Sequence, residues 1–440
     1  MRCPKRLLAC WCMALAAAPV LYAQESQPDD FPLKDGMTVV FFGDSITQAG
    51  LYVAYVDAFL AARFPERTIR VLNRGISSET ISGTSEPDHV PRRPDAHARF
   101  DRDVAAAKPN VVVACFGMND GNYHPFEPER FEKYQAGVRR LIARVRELRA
   151  ELVLLTPPPF DPYSRLVLDP DARSYGYKFP AIDYDETLER YSDWLLKLNE
   201  PGVRAVDLHT PMNQHLQERR RKRVSFRFQK DGIHPDATGH WLMAQALLKV
   251  WRVSPVASEV LIDRSCMISL SNEMGDLCSG VDNLRRRDGR VTFTWRTPLP
   301  MPEDEDWDSE SLALERARHR LNRHQLTVVG LDPGKYRLSA DGTVVAEVTH
   351  TELASGVDLL GFPACPTTRA ARELLGLVQQ RQRLEVALWR KRAVGTAPAE
   401  DRDSLRPEEE LARELERLDR KIDDLRRPRG INIEITAIAP

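Results

Sequence analysis

Between Met37 and Trp251, short apolar runs alternate with longer stretches whose apolar residues recur at helical spacing. Thr38 to Phe42, Ile69 to Leu72, Val111 to Phe116, Leu152 to Thr156 and Val203 to Val206 are apolar on both faces and read as strands. Tyr52 to Phe64, Ala96 to Ala107, Pro128 to Arg149 and Tyr184 to Leu198 read as amphipathic helices, and Trp241 to Trp251 closes the series. Strands apolar on both faces and separated by helices define a parallel sheet covered on both sides. Such a sheet takes its ligands beyond the carboxyl ends of its strands, so chemistry is sought there.

After Val253 the pattern changes. Val291 to Trp295, Gln325 to Val329, Tyr336 to Ala340 and Val344 to Thr349 read as short strands, with Asp332-Pro333-Gly334 and Asp341-Gly342 as turns. This predicts a small antiparallel β unit. Met301 to Ser311 is acidic and proline-bearing and reads as a solvated loop. From Thr367 the chain turns helical and charged. Leu374, Leu377, Leu384 and Leu388 form one stripe; Leu411, Leu415, Leu418, Ile422 and Leu425 form a second at heptad-like spacing. A packed helical hairpin is expected, turning within Val394 to Pro407, with a final strand at Ile431 to Ile438.

The first residues stand apart. Arg2, Lys5 and Arg6 precede an apolar run from Leu7 to Leu21 that ends in Tyr22-Ala23. This reads as a secretory signal, short of the ~20 residues a membrane span needs. The domain division is then 1–23 signal, 24–254 α/β domain, 255–366 β unit and 367–440 hairpin with its strand. A secreted or periplasmic location follows as an expectation. The 440 residues carry 63 basic against 64 acidic side chains, so there is no basic footprint for nucleic acid. Of the cysteines beyond the signal, Cys266 and Cys278 are the candidate disulfide pair, Cys115 reads as a small core residue, and Cys365 is unassigned. No CxxC or HExxH spacing suggests a metal, and no cofactor is expected.

The strand ends carry four candidate groups. After the first strand comes Gly43-Asp44-Ser45, a serine at a strand-to-helix turn with helix N–H groups beside it. After the second comes Gly75, where backbone can approach a ligand. After the third comes Gly117-Met118-Asn119-Asp120, whose amide can donate to an oxyanion or cap a helix. Near the end of the region, Asp231-Gly232-Ile233-His234 sets a carboxylate three residues before an imidazole, a spacing that lets Asp231 hold His234 within one loop. His209 and His240 show no partners in the sequence and read as structural.

These four blocks, in this order over Val39 to Trp251, resemble those of the SGNH hydrolases, also called GDSL esterases. The resemblance implies a three-layer α/β/α, flavodoxin-like parallel sheet and a metal-free Ser45-His234-Asp231 triad. It also implies an oxyanion hole from the backbone N–H groups of Ser45 and Gly75 with the Asn119 side chain. The implied reaction is ester hydrolysis through an acyl-enzyme. Exported proteins of this tandem layout suggest O-deacetylation of a carbohydrate; a lysophospholipase or short-chain lipid esterase is the alternative. A binding protein on a disused SGNH scaffold is a third reading, opposed by the completeness of the four blocks. The expected partner is a small-molecule or glycan ester.

Three further features bear on the substrate. Tyr123, His124, Pro125 and Phe126 follow the candidate oxyanion amide, and Pro157 to Pro180 is a long proline- and aromatic-rich connection. Arg219-Arg220-Arg221-Lys222-Arg223 is a basic run, read as a solvated face or, alternatively, as a site for an anionic ligand.

Overall fold

The computed structural model describes residues 32–87, 89–164, 182–272, 279–394 and 403–438. The segment read as a signal, Cys278, and Tyr175, Tyr177 and Phe179 of the long connection lie outside the described residues. Strand β1 (Thr38–Gly43) leads through α1 (Ser45–Ala49) and α2 (Leu51–Arg63) to β2 (Arg70–Gly75). Then come α3 (Phe100–Asp103), β3 (Val111–Cys115), α4 (Pro128–Glu147), β4 (Glu151–Leu155), α5 (Tyr184–Leu196), β5 (Val203–Val206), α6 (His209–Lys222) and α7 (Ala237–Val250).

The five strands are parallel, in the order β2-β1-β3-β4-β5. Side chains alternate between the faces of a strand. Val39 and Phe41 of β1 therefore join one core with α2 and α7, while Val40 and Phe42 join another with α4 and α5. This is the three-layer α/β/α arrangement. Gly43 is level with Gly75 on one side and Cys115 on the other, so the loops leaving β1, β2 and β3 start side by side. Cys115 is buried, as its apolar run implies.

One local expectation fails. Ala96 to Ala107 is not one helix but two 3₁₀ turns flanking α3. Its charges are drawn inward: Arg99 pairs with Glu79 and Asp103, and Asp103 also accepts from the Trp389 indole. Helix α6 has no aliphatic stripe. Its buried face is His209, Met212, His215, Leu216 and Arg219. These polar groups are satisfied at a distance. His209 meets Asp185, His215 meets Glu315 and Ser311, and Arg219 meets Asp308 and Glu310. Arg220 pairs with Asp161, and Arg221 pairs with Glu218. Arg219 and Arg220 of the basic run are spent on internal pairs, while Arg221, Lys222 and Arg223 are exposed, as a solvated face implies.

The following segment comprises β6 (Val256–Ile262), β7 (Ile268–Asn272), β8 (Gly280–Arg287), β9 (Arg290–Thr297), α8 (Ser309–Glu315), α9 (Ala317–Leu321) and β10 (Arg323–Val328). It continues with β11 (Lys335–Ala340), β12 (Thr343–Thr349), α10 (His350–Ser355), β13 (Val357–Asp358), α11 (Pro366–Trp389), α12 (Glu408–Arg426) and β14 (Arg429–Ala437). Two sheets, β13-β10-β6-β7 and β12-β11-β14-β9-β8, share one core that includes Val260, Leu326, Trp295 and Ile433. Pairing is antiparallel except between β6 and β10. The final strand β14 lies between β11 and β9, so the chain returns from the hairpin into the middle of the β unit. Asp341 (φ 47°) and Gly342 (φ 76°) turn β11 into β12 with two left-handed residues, as the Asp-Gly pair predicts.

The acidic segment from Met301 is packed rather than solvated. Trp307 is buried against Trp241 and edge-on to Tyr55, and Asp304 accepts the Tyr55 hydroxyl at 2.9 Å. The hairpin packs on itself through Leu384, Leu388, Leu411 and Leu418. Leu374, Leu375, Val378 and Ile422 instead join the α2–α7 core. On the sheet, Gln382 Nε2 donates to the Val71 carbonyl (3.1 Å), so α11 covers the otherwise open edge strand β2. Among the described residues no helix is long and apolar enough to cross a membrane.

Candidate active site

Ser45 opens α1 directly after β1. Asp44 caps the helix, accepting the Ile46 N–H at 3.0 Å. A Cβ on Gly43 would stand 2.7 Å from the Cys115 carbonyl oxygen, so only glycine lets this turn sit against β3. On the other side of the serine, His234 Nε2 lies 2.9 Å from Ser45 Oγ. His234 Nδ1 lies 2.6 Å from Asp231 Oδ2. The second oxygen, Asp231 Oδ1, accepts the backbone N–H groups of Ile233 (2.9 Å) and His234 (2.8 Å), with Gly232 at φ 79° closing the turn. Burial alone would raise the Asp231 pKa. The His234 contact and these two N–H donors outweigh it and hold the carboxyl below its ordinary range.

The loop is anchored from beneath. Buried Gln229 donates through Nε2 to the carbonyls of Pro159 (2.7 Å) and Ile233 (3.1 Å), and Asp161 N–H donates to the Gly232 carbonyl (2.8 Å). Asp236 caps α7 through the N–H groups of Thr238 and Gly239. His240 is structural: its Nδ1 accepts the Tyr52 N–H at 3.3 Å, its ring stacks on Tyr52, and burial pushes its pKa down to about 3. His209 is likewise held, by Asp185.

Asn119 approaches from the end of β3. Its Nδ2 donates to the Glu79 carbonyl (3.1 Å) and weakly to Asp44 Oδ2 (3.4 Å). Its Oδ1 accepts from Arg93 Nη1 (3.1 Å) and the Tyr123 hydroxyl (3.0 Å). Those two donors settle which end of the amide is the donor end. Arg93 is in turn held by a two-point pair with Glu86 (2.6 and 2.7 Å) and lies over the Tyr123 ring. Arg93 and Gln229 lie outside the four blocks, and nothing local in the sequence marks either. Burial pushes the Asp44 carboxyl up to about 7, against the opposing pull of the Ile46 N–H and His234.

Gly75 does not fit the part expected of it. Its N–H donates to Asn73 Oδ1 at 2.9 Å, and a Cβ there would stand 2.2 Å from the Gln48 nitrogen. This glycine lets the end of β2 pass under α1, and its donor is already spent. Three residues on, Ser78 turns into the left-handed region (φ 62°), a conformation uncommon for a non-glycine residue, just before the Glu79 carbonyl that Asn119 meets.

A strand-end serine bonded to an imidazole, which is bonded to a carboxylate, on a three-layer parallel sheet, is the arrangement of a serine-hydrolase site. Residues 41–242 match the GDSL-like lipase/acylhydrolase family. An acetylxylan esterase of Geobacillus stearothermophilus is 28% identical over 236 residues, 49% of this chain and 93% of that relative. Among solved structures, a gut microbial diltiazem-metabolizing enzyme has a similar fold over 92% of this chain and 99% of its own, with a TM-score of 0.73 at 22% identity. That likeness extends the shared fold beyond the family segment. The protein is a carboxylic ester hydrolase.

Proposed function

We propose that the chain is an exported serine esterase that removes acetyl groups from carbohydrate hydroxyls. The observation that carries the reaction is the unbroken contact chain Ser45 Oγ, His234, Asp231, at 2.9 and 2.6 Å. In this reading His234 takes the Ser45 proton as Oγ attacks the acyl carbonyl. It then returns a proton to the departing alcohol and activates water to free the acyl-enzyme. Asp231 fixes the imidazole tautomer and balances its charge. The oxyanion is met by the Ser45 N–H and by Asn119 Nδ2, which exchanges its long 3.4 Å contact with Asp44 for the oxyanion, with the Ser78 N–H in the place first given to Gly75. The acetyl and sugar preference is supported by the acetylxylan esterase likeness, and export by the charged-then-apolar first residues.

An acyl-length series on p-nitrophenyl esters, run beside acetylated xylan, tests the substrate reading. Acetyl is expected to be the optimum, and acetate is expected to be released from the polymer. A preference for long acyl chains, with no acetate released, would contradict it. For the oxyanion role, Asn119→Ala is expected to lower kcat about 100- to 1,000-fold on p-nitrophenyl acetate. Arg93→Ala should lower it less, because Tyr123 still holds the amide. Equal kcat in Asn119→Ala and parent would remove Asn119 from the reaction.

A further inference from the structure

Helix α11 runs alongside β2 toward its carboxyl end: Gln382 meets Val71, and one turn on Glu385 meets Arg74. The first contact covers the sheet edge. The second is of a different kind. Arg74 Nη1 and Nη2 donate to the two Glu385 carboxylate oxygens, each at 2.8 Å, with the Arg74 side chain 7% exposed and that of Glu385 20%. The guanidinium also lies over the Trp389 ring, 4.8 Å from its centre, and the Trp389 indole N–H donates to Asp103 at 3.1 Å. A two-point ion pair on a stacked ring fixes a guanidinium in place and in orientation, which an apolar cover of the edge would not do.

Arg74 opens the segment that leaves β2 for the oxyanion site. Its carbonyl accepts Arg99 Nη2 at 2.8 Å. Arg99 in turn grips the buried Glu79 carboxylate at two points, Nε to Oε1 at 2.6 Å and Nη2 to Oε2. The Glu79 carbonyl accepts Asn119 Nδ2 at 3.1 Å, and Ser78 is the residue before it. A second route reaches the same arginine: Asp103, which Trp389 meets, accepts Arg99 Nη1 at 3.3 Å. Direct contacts therefore run without a gap from α11 to the amide beside Ser45.

Building on the esterase reading above, we infer that Glu385 and Trp389 of the C-terminal hairpin are positioning residues for the reaction: through Arg74 and Arg99 they hold the 74–79 segment, and with it the Ser78 N–H and the Asn119 amide, where the oxyanion forms. Neither residue touches the reacting atoms. Donors held in this way need not reorganise as charge develops on the oxygen. The hairpin lies outside the segment that matches the family, so this support is an addition to the α/β domain.

The test reads kcat and KM separately on p-nitrophenyl acetate. Glu385→Gln keeps the size of the side chain and removes its charge; Trp389→Phe keeps a ring beside Arg74 and removes the donor to Asp103. Glu385→Gln is expected to lower kcat about tenfold with KM nearly unchanged, because oxyanion donors act in the transition state rather than on bound substrate. Trp389→Phe should lower kcat in the same way but less, and Glu385→Asp, which keeps the carboxylate, should recover part of the loss. Leu411→Ala loosens the interior of the hairpin away from Arg74 and should keep the parental kcat well below its unfolding temperature. That pattern supports the assignment; if Glu385→Gln fails to fold, Trp389→Phe decides alone. Parent-like kcat in both Glu385→Gln and Trp389→Phe overturns it while leaving the esterase reading intact, as does an equal loss of kcat in Leu411→Ala. An inactive parent would instead strike the esterase reading itself.

Discussion

Ser45→Ala and His234→Ala are each expected to lower kcat on p-nitrophenyl acetate by about 10,000-fold or more, because members of such a triad act as one unit. Without Oγ there is no acyl-enzyme. Without the imidazole, the serine hydroxyl keeps its proton at neutral pH and is a weak nucleophile. What remains should resemble catalysis by the oxyanion donors and binding alone. Both side chains are partly exposed at the mouth of the site, so thermal unfolding should shift little in either variant. A steady-state assay with a denaturation scan checks both halves. Activity within tenfold of the parent in either variant would contradict the roles assigned.

The largest expected effect on stability lies far from the reaction. Asp57 of α2 is buried and accepts from Arg381 (2.5 Å) and Gln382 (2.6 Å) of α11. Burial works against the Arg381 charge, but Asp57 more than compensates and the guanidinium pKa is raised. Asp57→Ala removes that balance, leaving Arg381 with only its 3.3 Å contact to Asp419 and Gln382 Nε2 with only the Val71 carbonyl. The expected loss is about 3–5 kcal/mol in unfolding free energy, as for other broken buried pairs. Replacing both partners, as Asp57→Leu with Arg381→Met, should recover much of it, because no buried charge is then left alone. Urea unfolding of the three proteins measures this. A loss below about 1 kcal/mol in Asp57→Ala would mean that the pair does not hold the hairpin down.

The parallel sheet was legible because burial on both faces leaves a local mark. All five strands coincide with runs read from the sequence, the ends of the first and third name the places of Ser45 and Asn119, and the Asp231–His234 loop sits just before α7. What was hidden depends on partners distant in sequence. Helix α6 buries two histidines and an arginine beside Met212 and Leu216, and the partners of His215 and Arg219 lie about a hundred residues away at Glu315, Ser311 and Asp308. The Arg381–Asp57 pair spans 324 residues. The β14 strand was recognisable, but its insertion between β9 and β11 was not, since register is a tertiary property. Gly75 misled for a different reason. A glycine at a strand end can serve either a ligand or close packing, and only the Gln48 and Asn73 contacts decide for packing. Arg93 belongs with the hidden group, since its link to Asn119 appears only when the 86–93 loop is folded onto β3.

The central claim, that Ser45 is an activated nucleophile, is tested most directly by labelling the whole protein with a fluorophosphonate probe and mapping the adduct by mass spectrometry. The account predicts a single adduct on Ser45, lost or greatly slowed in His234→Ala. No adduct on the active parent enzyme, or an adduct on another residue with Ser45 unmodified, would contradict it.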